Sequence, residues 1–274
     1  SSTLDAALST YSINLARNWN NTGTFVHQNN TVIFDGAADQ TIVSTGGETF
    51  YNLTINKGGG TLTLNDNATT TNELTMTLGD VVATTDTLKL GVSCAVPGTL
   101  THATGIVIGI FERWVAATGN QLFPVGITGF YRPSIVNVTT LSTCGSLTGE
   151  FVDADPGKSG LPLSEASLTP DSMRNVFFEG YWQHVNRNSF SATFDLSLVG
   201  TGFTSFTMNA STRVLRRPNA STAWSLEGTH VNAVPDTAKR SAITTLPSQY
   251  ALGDTTDCDP PDKQGLNGRD SVCV

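Results

Sequence analysis

Between residues 11 and 90 the chain runs in short stretches of alternating apolar and polar residues, and that period of two restricts it to β structure. Tyr11, Ile13, Leu15 and Trp19 keep the period, as do Tyr51, Leu53 and Ile55, then Leu62 and Leu64, then Leu74, Met76 and Leu78. Each run is expected to bury one face of a strand. Between the runs stand Asn20-Asn21-Thr22-Gly23, Gly46-Gly47, Gly58-Gly59-Gly60, Asn65-Asp66-Asn67 and Gly79-Asp80. Such residues supply positive φ angles or cap their own backbone in tight reversals. Phe34, Phe50 and Tyr51 are expected to stack along the interior.

The surface such strands present is short of charge. Charged residues make up 14% of the 274, against a usual quarter or so, and Thr, Ser, Asn and Gly take their place. Fifteen Lys and Arg face 23 Asp and Glu, a formal net charge of -8 and a pI near 4.8. That balance excludes the basic footprint of a nucleic-acid binder and disfavours anionic membranes as partners. No run of residues reaches the apolar length of a membrane span, so membrane insertion is not expected.

Turns in the first third recur so that a unit of about twenty residues resembles a coil of a β-solenoid or a stack of hairpins. Near Val96-Pro97-Gly98 the pattern changes: strands lengthen and aromatics increase, with candidates at 106–114, 134–138, 175–185, 190–198 and 203–208. Phe190, Ala192, Phe194, Leu196 and Leu198 form the cleanest alternation in the chain, one buried face against one solvated. The expected fold is all-β: an N-terminal β-solenoid-like or stacked-hairpin unit followed by an antiparallel β-sandwich. It divides into an arm (1–10), a repeat unit (11–96), a sandwich (97–253) and a tail (254–274).

Cys94, Cys144, Cys258 and Cys273 have no zinc spacing and no clustered histidines, which favours disulfides and an oxidising compartment. Four cysteines allow three pairings. Cys258 with Cys273 is favoured, closing a tail loop worth roughly 3 kcal/mol in the chain-entropy model, and Cys94 with Cys144 follows by elimination. With Ser1-Ser2-Thr3 at its start the chain reads as a processed, secreted protein.

Catalytic signatures are missing: there is no HExxH, GxSxG or phosphate-cradling glycine loop. Glu150 and Glu179 are carboxylates of the kind a glycosidase pairs, but nothing in their spacing brings them together. His184 is expected at a strand edge or surface. Asp254, Asp257, Asp259 and Asp262 are hard oxygen donors at close spacing, a calcium candidate, weighed against a solvated acidic turn. No other cofactor is implied.

Asn18-Trp19-Asn20-Asn21-Thr22-Gly23-Thr24-Phe25, Phe50-Tyr51-Asn52-Leu53-Thr54-Ile55-Asn56 and Leu88-Lys89-Leu90-Gly91 resemble repeat-rich, adhesin-like surface proteins secreted by Bacteroidetes-type bacteria. Phe123-Pro124-Val125-Gly126, Tyr181-Trp182, Trp224-Ser225-Leu226-Glu227-Gly228-Thr229 and Tyr250-Ala251-Leu252-Gly253 resemble later landmarks of the same proteins. The resemblance implies an extracellular scaffold with no catalytic residues. The triplets centred on Thr87, Ser172, Thr237 and Ser271 resemble an O-glycosylation signal of such bacteria. Leu4 and Leu8 suit an N-terminal arm that adds a strand to a neighbouring copy, the alternative being an arm folded back on its own chain. The expected function is a structural subunit of a self-assembling extracellular filament, with copies of itself as partners. The alternative is a monomeric adhesin or carbohydrate-binding module that recognises glycans through an exposed Trp114, Trp182 or Trp224. Further behind is a polysaccharide-degrading enzyme.

Overall fold

The computed structural model describes residues 2–6, 11–204 and 207–256, with backbone alone for 232–234. Strand makes up 61% of it, as a β-solenoid of about 5 turns with additional antiparallel sheets. The only helical element among the described residues is a 3-10 turn at Ala166–Leu168.

The solenoid is wound from β1 (Thr3–Asp5), β2 (Ser12–Leu15), β3 (Trp19–Asn21), β4 (Thr24–Val26), β5 (Thr31–Phe34), β6 (Gln40–Ser44), β7 (Glu48–Leu64), β8 (Ala68–Leu90), β9 (Thr99–His102) and the first part of β10 (Val107–Val115). Neighbours pair in parallel, each residue against one roughly twenty positions further on. One side stacks Ile13, Val32, Leu53, Leu74 and Leu100 in register, with Leu15, Phe34, Ile55, Met76 and His102 beside them. A second side stacks Gln40, Leu62, Val81 and Val107, and a third aligns Glu48 with Ala68 and Leu88 with Phe111. β7 and β8 are long because each runs round corners and serves successive sides of the coil.

The corners explain the turn residues. Asn18, Asp39 and Asp80 accept the backbone N–H of Thr41 (3.1 Å), Thr61 (2.8 Å) and Ile106 (2.9 Å), so each carries an orphan donor of the next coil. Gly79 turns at φ +94, and a Cβ there would meet the Lys57 side chain at 2.7 Å. Beneath this corner Lys57, 1% exposed, donates to the carbonyls of Gly36 and Ala38, both at 2.8 Å, and to Gln40 Oε1 at 2.9 Å. All three ammonium protons are thus used.

Corners also reset the alternation. Leu53, Ile55, Leu62, Leu64, Leu74 and Met76 are buried, but Leu78 is 47% exposed because the chain turns at Gly79. Tyr51 sits where the register shifts between Phe50 and Asn52; its ring lies against His27 outside the wall, while Phe34 and Phe50 meet inside at 6.5 Å. Tyr11 precedes β2 and is 67% exposed.

Beyond the solenoid lie β11 (Gly119–Phe123), β12 (Gly126–Ile127), β13 (Phe130–Tyr131), β14 (Ser134–Thr143), β15 (Gly145–Val152), β16 (Leu163–Ser164), β17 (Ser172–Met173), β18 (Asn175–Val176), β19 (Tyr181–Arg187), β20 (Ser191–Val199), β21 (Arg213–Arg217), β22 (Thr229–Val234), β23 (Thr237–Ile243) and β24 (Ser248–Asp254). β10 belongs to both regions: it is parallel to β8 on one side and antiparallel to β15 on the other. The large sheet continues through β19 and β24, which pairs with both β18 and β21. A five-stranded antiparallel sheet, β11-β14-β20-β23-β22, covers its inner face. Phe123 bridges the layers, 5.9 Å from Phe111 and 4.8 Å from His184. The run from Phe190 to Leu198 alternates as expected, its five apolar residues all buried. The 175–185 candidate is broken by a turn that buries Phe177 and leaves Phe178 half-buried; the described residues of 203–208 lie outside any strand.

Cys94 and Cys144 form a disulfide, with Cα atoms 6.0 Å apart and a sequence separation of 50. It ties the segment after β8 to the turn between β14 and β15. Cys258 and Cys273 lie outside the described residues.

Candidate functional site

The two ends of the solenoid differ. At the far end Val107 N–H donates to Pro124 O (2.8 Å) and bridges Val125 in parallel, so the sandwich closes that wall. Tyr131 also stacks on His102 at 5.5 Å, and burial pushes its phenol up to about 12. At the near end β1, β2 and β3 each pair on one side only among the described residues. Leu4, in β1, is 54% exposed, and its strand runs parallel to β4 of the same chain. The described part of the arm therefore pairs in cis; Leu8 lies outside the described residues. Buried Asn30 fastens this end: its amide donates to Ala6 O (3.2 Å) and its Oδ1 accepts Tyr11 N–H (2.6 Å). Among the described residues β2 and β3 thus each leave one edge without a strand partner, and such an edge is a template for another strand.

Several candidates turn out to be structural. His184 is an interior residue, not an edge one: its Nδ1 donates to Thr148 O (2.9 Å), so Nε2 accepts from Ser134 Oγ (3.0 Å). The sequence could not show this, since both partners come from distant strands. Burial lowers the His184 pKa to about 4. A serine and histidine in contact suggest a nucleophile, but Ser134 is fully buried and a backbone carbonyl, not a carboxylate, holds the imidazole. Glu179 accepts from the Thr204 hydroxyl (2.8 Å) in a turn, whereas Glu150 lies on β15. Asp254 ends β24 buried, accepting Thr256 N–H at 2.9 Å. Asp257, Asp259 and Asp262 are outside the described residues, and among those described no three His, Cys, Asp or Glu side chains gather as metal ligands do.

A charged cluster that the sequence did not reveal holds the sandwich interior. Arg213 and Arg240 both pair with Glu165, each at 2.8 Å, and Arg216 pairs with Glu227 at 3.3 Å. Burial opposes ionisation of Glu165, but hydrogen bonds and charge from Arg240 and then Arg213 outweigh it and hold the carboxyl below its usual range. Arg217 lies 4.2 Å from the Trp224 ring.

The outer face of the large sheet is covered only in part. Over β24 and β21 a second apolar cluster with Met173, Leu215 and Trp224 closes it. Over β8, β10, β15 and β19 it stays open as a polar groove of about 390 Å³. Here register sets Lys89 opposite Glu112, Glu112 opposite Thr148, Glu150 opposite Gln183 and Ser146 opposite Arg187. Thr87 lines the same groove; Ser172 and Thr237 are half-buried in β17 and β23, and Ser271 is outside the described residues. Of the three tryptophans expected as sugar platforms, Trp182 and Trp224 are buried and Trp114 is half-exposed.

Searches of protein-family models, curated proteins and solved structures match this chain to none.

Proposed function

We propose that this chain is a secreted structural subunit that joins copies of itself into an extracellular filament or surface fibre. The observation that carries the reading is the near end of the solenoid, where among the described residues β1, β2 and β3 each have a single strand neighbour, while the sandwich pairs with the opposite end. An edge of this kind accepts a strand from a second copy, and a head-to-tail joint that does not close on itself grows a filament. Exposed Leu4 and Tyr11 border it. The Cys94–Cys144 bond and the short segments resembling secreted surface proteins support a place outside the cell. Sealing of the Ser134–His184 pair in the core supports a non-enzymatic role.

The test is electron microscopy of the native material with light scattering in solution. Regular fibres of uniform width that are lost in Leu4→Asp and Tyr11→Asp variants, both exposed positions, are the expected result. A monodisperse 29.0 kDa species at every concentration overturns the reading.

A further inference from the structure

The open groove on the outer face of the large sheet has a chemistry that the filament reading does not use. Two acids, Glu112 and Glu150, and two bases, Lys89 and Arg187, line it. Their charges cancel, so the groove has no net pull on a polyanion or polycation. Among the described residues Lys89, Glu150 and Arg187 spend no side-chain hydrogen bond or ion pair inside the protein. Glu112 accepts from Ser146 Oγ, which leaves a second carboxylate oxygen available. Gln183 uses its Oε1 on Gln249 and keeps its amide protons. Acceptors and donors thus alternate across four neighbouring strands, a span of roughly 14 Å at about 4.8 Å per strand. All stand on paired backbone, so the ordering cost on engaging a ligand falls on the side chains alone.

A ligand that answers every one of these groups carries many hydroxyls, each donating and accepting, and no charge. Trp114 supplies the remaining contact. It lies beside the groove, two residues beyond Glu112 on the same face of β10 and opposite Ser146, and is half-buried. An indole in that position stacks on the apolar face of a sugar ring. We propose that this groove binds a short neutral oligosaccharide, with Trp114 as its platform and Glu112, Glu150, Lys89 and Arg187 as its hydrogen-bonding groups.

The site is distinct from the solenoid end, so it can be tested whether or not filaments form. Full-length protein would be titrated with cellohexaose, xylohexaose, laminarihexaose and mannohexaose, following tryptophan emission and calorimetric heat, with heparin as the anionic control. Binding of at least one neutral hexasaccharide at submillimolar concentration is expected. Trp114→Ala and Glu150→Gln should each weaken it tenfold or more with the circular dichroism spectrum unchanged. Failure of all four neutral probes overturns the proposal. So does binding that both variants retain, or heparin binding without any neutral partner. Release of shorter sugars from a bound probe would make Glu112 and Glu150 a hydrolytic pair and replace the binding role with a catalytic one.

Discussion

The solenoid and the sandwich solve the same problem, a buried polar backbone, by different means. In the solenoid the solution is repeated and made one backbone group at a time: side-chain oxygens of Asn18, Asp39 and Asp80 each carry one N–H of the next coil. Lys57, buried there, spends its protons on carbonyl oxygens. In the sandwich the solution is used once and is ionic, with Arg213, Arg216 and Arg240 held by Glu165 and Glu227. Repetition lets a region lengthen by adding coils without redesign. A unique charged cluster fixes one arrangement, and any missing member leaves its partner stranded.

The largest effect should come from cutting the covalent tie between the regions. Cys94→Ser with Cys144→Ser should cost about 4 kcal/mol for a loop of this length, read from guanidinium unfolding. A single transition should persist, because β10 is a strand of both regions; two separate transitions would show that the regions are independent. Next, Glu165→Ala should cost about 3 kcal/mol, since two buried guanidiniums lose their shared carboxylate. The loss should appear in sandwich amides by hydrogen exchange and spare the solenoid.

Acid should act on the same side of the comparison. The fold holds His184 neutral with a pKa near 4, against 6.5 for the free side chain. Its contribution is therefore complete above pH 6.5 and is lost as the pH falls toward 4, about 3 kcal/mol in all. The His184 ring resonances should stay unshifted down to about pH 4; titration near the free value would refute the buried neutral state. Glu165 adds a further loss as the pH falls from the ordinary carboxylate range through its lowered pKa. The smallest effect belongs to the solenoid: Asn30→Ala should cost about 1–2 kcal/mol and raise exchange at Ala6 and Tyr11 with the sandwich untouched.

The same contrast decides what could be read from the amino acids. Solenoid walls were legible because Leu53, Ile55, Leu62, Leu64, Leu74 and Met76 face inward with a local period of two. The corners were not, because Tyr51 and Leu78 continue the period in sequence while the chain turns beneath them. Asp80 stood in a recognised turn, but the N–H that each of Asn18, Asp39 and Asp80 accepts lies 22 to 26 residues further on and could not be read locally. In the sandwich, the alternation from Phe190 to Leu198 was plain. His184, the Glu165 cluster and the groove residues were hidden because strands far apart in sequence bring them together. Lys89, Glu112 and Glu150 are neighbours only through the registers of β8, β10 and β15.

Tension has a particular route through this molecule. Pulling on two points outside the Cys94–Cys144 loop cannot extend the residues between the cysteines while the bond is intact. The last coil of the solenoid, the strand carrying Glu112 and Trp114, and β11 through β14 all lie within that loop. A fibre under load would stretch elsewhere first, and these strands would keep their register. Reduction would release a tether of about 50 residues, close to 170 Å of slack at about 3.4 Å each, turning a stiff link into an extensible one.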